Sequence, residues 1–179
     1  DMGQYGLVQE ATADNTSIHD LDDDGHPELL IADDNFVRGV RYEPETEGSV
    51  SPGWQVVEQI NIDDGSSTLA SLASINEHQL IAADTDNDRL VLIGVGKDGS
   101  WSESDSLLVN GFELGPIHTG DFTGDGGDDI LVMGDAGFAV VRLSGDRLAL
   151  NEVQSWRSDE TRRVQHELAV GDVNADGHV

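Results

Sequence analysis

The sequence predicts an all-β chain of four-stranded units that recur about every 50 residues. Three observations carry that expectation. Apolar runs are short, rich in Val, Ile and Leu, and bounded by Gly, Asp, Asn and Ser, the composition of strands divided by turns. No stretch keeps a helical hydrophobic period over three turns. An acidic, glycine-containing motif begins at Asp20, Asp121 and Asp172, and the first two copies lead directly into an apolar run. The intervals are 101 and 51 residues, so the first is nearly twice the second and a further copy is expected near residue 71.

The units follow in order. The first, 15–64, reads as strands at 17–20, 28–32, 36–42 and 54–61. The second, 65–114, reads as strands at 68–74, 79–83, 89–95 and 106–109. Its "SLASINEHQLIAAD" has lost the acids, but Leu80-Ile81-Ala82-Ala83-Asp84 aligns with Leu29-Leu30-Ile31-Ala32-Asp33. The third, 115–164, reads as strands at 116–121, 129–133, 138–143 and 148–153. Residues 165–179 begin a further, truncated unit. Residues 1–14 read as the outer strand of a preceding one, because "YGLVQEATAD" matches "WQVVEQINID" with Tyr5 against Trp54. Four-stranded units at this period are the signature of a β-propeller. Each blade buries its faces on its neighbours, so a blade alone folds poorly.

Composition narrows the function classes. The chain has 179 residues with 37% hydrophobic content, enough for a core. Thirty-six acidic residues against nine basic ones give a net charge of −27, so nucleic acid and anionic membrane surfaces are poor partners. The longest apolar runs fall far short of the roughly 20 residues that span a bilayer. Cysteine is absent, which removes disulfides and thiolate metal sites.

The acidic motifs are spaced for a metal. The first offers Asp20, Asp22, Asp24 and Glu28 with the carbonyl of His26. The second offers Asp121, Thr123, Asp125 and Asp129 with the carbonyl of Gly127. The third offers Asp172, Asn174 and Asp176 with His178 at the carbonyl position, and its closing acid would fall just beyond Val179. Alternate residues in a tight loop can turn their oxygens toward one point, and a glycine (Gly25, Gly126, Gly177) permits the sharp backbone between them. Such a cage of hard oxygens suits Ca2+ better than Mg2+, which prefers to keep its waters. The ion would be structural, tying a loop that its own charge would otherwise open.

Other chemistry is poorly represented. His19 and His118 precede acidic loops, and both read as polar residues on inner strands. No two histidines have the spacing of a zinc site, and there is no nucleophile elbow or phosphate loop. No residue is singled out as catalytic. Trp54, Trp101 and Trp156 recur near blade ends and read as outer-strand packing rather than sugar platforms.

The loops "DLDDDGHPELLIAD", "DFTGDGGDDILVMG" and "DVNADGHV" resemble the calcium-binding repeats of the FG-GAP/VCBS family, which form integrin-α-type propeller blades. The resemblance implies that each loop joins the first two strands of a blade and that two complete loops and one truncated loop take calcium. Glu28 stands where the family prefers Asp, the second unit has no loop acids, and the Phe-Gly…Gly-Ala-Pro signature is missing. The bacterial VCBS branch therefore fits better than the integrin one. The third loop also resembles the opening of a dockerin, but its 51-residue phase favours a blade. The implied function is a secreted, periplasmic or cell-surface binding or scaffold module for a protein or glycan. The alternatives are part of a propeller-fold polysaccharide lyase or dehydratase, or a lectin. Rings close with about four to eight blades. The remaining blades are therefore expected from the same longer chain or from a second copy.

Overall fold

The computed structural model describes residues 6, 8–45, 52–63, 65–134 and 137–157, with the backbone alone for 149–157. The first four strands are β1 (Thr16–His19), β2 (Glu28–Asp33), β3 (Phe36–Glu43) and β4 (Gly53–Asn61). The next four are β5 (Leu69–Asn76), β6 (Gln79–Asp84), β7 (Arg89–Val95) and β8 (Trp101–Leu108). The last are β9 (Leu114–Gly120), β10 (Asp129–Gly134), β11 (Gly137–Ser144) and β12 (Arg147–Arg157). They form three antiparallel four-stranded sheets, each a meander in which consecutive strands pair. The described residues contain no helix.

Ten of the twelve strands lie within two residues of the sequence expectation at each end. β8 is the main correction, since it begins at Trp101 rather than Ser106. Its "WSESDS" is polar and reads as a loop, yet it alternates strictly between half-buried and exposed positions. The inward side chains of that run find polar partners. Trp101 Nε1 donates to the Leu21 carbonyl at 3.0 Å, Glu103 accepts from Arg89 at 3.1 Å, and Asp105 accepts the Leu148 N–H at 2.9 Å. β12 also runs further than expected, to Arg157. Residues 8–14, expected to belong to an outer strand, form no strand. They turn at Val8–Ala11 and are fastened by Asn15, whose side-chain amide donates to the Ala32 carbonyl at 2.9 Å. The further unit expected at 165–179, with its third acidic loop, lies outside the described residues.

The middle sheet explains the apolar runs. Leu80, Ala82, Val91 and Ile93 pack on Leu30, Ala32, Val37 and Ile60 of the first sheet. The alternate residues Ile81, Ala83, Leu90 and Leu92 pack on Ile117, Ile130, Val132 and Val141 of the third. A strand covered on both faces has no polar side to show, so β6 and β7 read as continuous apolar segments rather than alternating ones. The first strands of the sheets lie side by side, β1 against β5 and β5 against β9. Small hydroxyls bridge them: Ser17 to Ser74 at 2.9 Å, the Ile117 N–H to Ser71 Oγ at 3.0 Å, and Thr119 Oγ1 to the Ser74 carbonyl at 3.1 Å. The last strands meet as well, β4 on β8 and β8 on β12.

Candidate metal centre

Both described acidic loops join the first two strands of a sheet, 20–27 between β1 and β2 and 121–128 between β9 and β10. Each folds around its own first aspartate. Asp20 accepts the N–H groups of Asp24 and Gly25 at 3.1 and 2.8 Å, and Asp121 accepts those of Asp125 and Gly126 at 3.0 and 2.8 Å. Asp24 accepts the His26 N–H at 2.8 Å, and Asp125 accepts the Gly127 N–H at 3.0 Å. The left-handed positions also correspond: Asp23 and Gly25 in the first loop, at φ 55° and 83°, and Gly124 and Gly126 in the second, at 72° and 84°. Local sequence thus dictates one loop conformation twice.

The closing acid of each loop is the first residue of the next strand and is buried. Glu28 is wholly inaccessible and accepts the Leu21 N–H at 3.0 Å. Desolvation raises its carboxyl above the ordinary range, and the charges of Asp22 and Asp24 add to the rise against the opposing Leu21 N–H and Arg41. Asp129 is 1% exposed and accepts the Thr123 N–H at 2.9 Å through one oxygen. Its other oxygen, Oδ1, is buried without a hydrogen-bond partner. The Arg142 Nε, 3.5 Å away, offsets only part of the desolvation cost of a buried carboxylate oxygen left without a hydrogen bond.

Of the predicted ligands, Asp20, Asp22 and Glu28 converge, with one oxygen from each lying within 4.8 Å of the others. Asp24 does not join them, because its Oδ2 faces Arg41 Nη1 at 2.6 Å. Desolvation lifts the Asp24 carboxyl, but the His26 N–H and Arg41 outweigh it and hold it below the ordinary range. In the second loop Thr123 stands at the position of Asp22, and Asp125 Oδ2 faces Arg142 at 2.8 Å. His26 and Gly127, predicted through their carbonyls, take part here through their N–H groups. Asp172, Asn174, Asp176 and His178 lie outside the described residues. The converging set of Asp20, Asp22 and Glu28 is all oxygen and rich in negative charge, which fits a hard divalent cation, whereas Asp121, Asp125 and Asp129 do not gather into such a group.

The second unit has only Glu77-His78 where the others have eight residues. Asn76 closes this turn, accepting the His78 N–H at 3.0 Å and donating to Gln79 at 2.7 Å. Cavities flank the turn on both sides. One of about 530 Å³ lies beside the first loop, lined in part by Ile18, Asp23, Pro27, Ser74 and Glu77. Another of about 320 Å³ lies beside the second, lined in part by Asn76, Gln79, Asp125, Asp129 and Arg142. His19 is buried, its Nε2 3.1 Å from the Glu77 carbonyl and its ring edge-on to Trp101, and Trp54 packs edge-on to Tyr42.

Sequence reasoning missed Arg41 and Arg142. The signal was present: they stand 101 residues apart, the same interval that separates Asp20 from Asp121. Comparison with family models and with curated proteins returns no match.

Proposed function

We propose that this chain is part of a calcium-stabilised β-propeller of the VCBS type that serves outside the cytoplasm as a binding or scaffold module. The observation that carries the reading is the recurrence of one loop conformation at 20–28 and 121–129, each ending on a buried carboxylate. The stacking of three meanders with their first strands adjacent supports the blade arrangement. Asp20, Asp22 and Glu28 would hold one ion, and Asp121, Thr123 and Asp129 the other. Bound calcium would add positive charge among carboxylates that Arg41 and Arg142 neutralise only in part, and would tie the loop's first residue to the next strand. Sites of this kind outside cells bind with dissociation constants of roughly 10⁻⁴ to 10⁻³ M, which suits a secreted, periplasmic or surface location. The cavities beside the loops give a protein or glycan partner a contoured surface that the loops' rigidity would preserve.

Melting curves with and without calcium test this reading. At a hundredfold excess over the dissociation constant, each site adds about 2.7 kcal/mol. Excess chelator should lower the melting temperature, calcium should restore it, and magnesium should restore it poorly. A melting curve indifferent to chelator and calcium would overturn the proposal.

A further inference from the structure

The residue across from each closing acid follows the character of the loop. Asp129 pairs with Arg142 in the β10–β11 register. Arg41 lies one step beyond the Leu29–Val40 pair, where Glu28 faces it, and its Nη1 is 3.2 Å from Glu28 Oε1. In the second sheet the same register pairs Gln79 with Gly94. Where the loop is acidic the opposite strand carries arginine, and where the acids are gone so is the arginine. With nine basic residues in the chain, two at these matched positions mark a requirement of the loops themselves.

We infer that Arg41 and Arg142 are internal counterions that hold the empty loops closed and compete with calcium for them. The inference rests on the calcium reading and assigns these residues the setting of its affinity. Arg41 Nη1 lies 2.6 Å from Asp24, 3.2 Å from Glu28 and 3.9 Å from Asp22. Two of these carboxylates belong to the converging set. Arg142 lies 2.8 Å from Asp125 and 3.5 Å from Asp129, and donates to Thr123 Oγ1 at 2.7 Å. Calcium–oxygen bonds are about 2.4 Å long, so an ion on these oxygens would sit within a few ångströms of the guanidinium. Like charges that close repel strongly in a partly buried site. Occupation of one position therefore expels the other cation. The buried Asp129 Oδ1, without a hydrogen bond even beside Arg142, shows that the guanidinium satisfies the site incompletely. Both arginines have a way out. Their side chains are 30% and 43% exposed, and Glu43, 3.3 Å from Arg41 Nε, can hold that side chain outside the loop.

The test is calorimetric titration of the full chain with calcium, for the native protein, Arg41→Gln, Arg142→Gln and the double variant. Arg41→Lys serves as a charge-retaining control, and circular dichroism establishes folding of each. Each Gln substitution should tighten calcium binding at its loop by tenfold or more, while lowering the melting temperature in chelator. The Lys control should bind as the native protein does. A merely structural arginine would give the lower melting temperature without the tighter binding. Calcium binding that is unchanged or weaker in both Gln variants would overturn the counterion role and leave the calcium reading standing. No calcium binding by any of the proteins would overturn both.

Discussion

Asp84→Asn tests the ionic cluster at the far end of the middle sheet. Asp84 is fully buried, and its two oxygens accept four hydrogen bonds. Oδ2 takes Ser67 Oγ at 2.8 Å, Asn87 Nδ2 at 2.9 Å and Arg89 Nε at 2.9 Å, while Oδ1 takes the Thr68 N–H at 3.1 Å. Asparagine keeps the shape but has only one acceptor oxygen. Turned to keep the three bonds of Oδ2, it sets its own amide against the Thr68 N–H; turned the other way, it loses all three. In either pose Arg89 loses its nearest carboxylate and keeps Glu103 at 3.1 Å. Removing one member of a buried pair costs about 3–5 kcal/mol, and the surviving Glu103 contact places this case near 3. For a chain of this size that is a fall in melting temperature of roughly 6–12 °C. Desolvation raises the Asp84 carboxyl, but Arg89, Asn87, Ser67 and the Thr68 N–H together hold it below the ordinary range. The stability it contributes is therefore present above the ordinary carboxylate pKa and lost as pH falls through the depressed value. Urea unfolding of both proteins across acid pH should show a wide gap at neutrality that narrows as the native protein is acidified. A loss below about 1 kcal/mol at neutral pH, or a gap that does not narrow, would refute the reasoning.

Three further substitutions test the packing and the loops. Gly134→Ala would drive a methyl group into the Phe112 ring and the Glu113 carbonyl, so urea unfolding should show a loss of about 1–3 kcal/mol. Asp23→Gly relieves a non-glycine residue at φ 55°, where the second loop already has Gly124; thermal melting in chelator should show a gain of about 0.5 kcal/mol, and a loss would contradict the loop correspondence. Trp101→Phe leaves the Leu21 carbonyl without its donor and loosens the contact with His19, which should cost about 1–2 kcal/mol by denaturant titration.

Strand order was legible because the apolar runs are separated by turn residues, and even the degenerate second unit could be phased from Leu80–Asp84. β8 was not, because Glu103 and Asp105 have low strand propensity and are held by partners distant in sequence, Arg89 and the Leu148 N–H. The loop conformation was legible from the alternation of acids and the glycine after Asp24 and Asp125. The diversion of Asp24 and Asp125 onto arginines was not, because it depends on which residue the antiparallel register sets opposite Glu28 and Asp129. The 101-residue interval marks Arg41 and Arg142 as equivalent positions, but only the strand pairing shows which acids they face.

The short turn at Glu77-His78 gives the middle sheet an independence that its neighbours lack. Its register is closed by Asn76 and Gln79, with no cluster of like charges to hold together, and both its faces are covered. Rising denaturant should then open the molecule in a fixed sequence, with the flanking sheets loosening first. Amide protons of Leu80–Ala83 and Leu90–Ile93 should be the last to exchange with solvent, making this sheet the unit on which the rest reassembles.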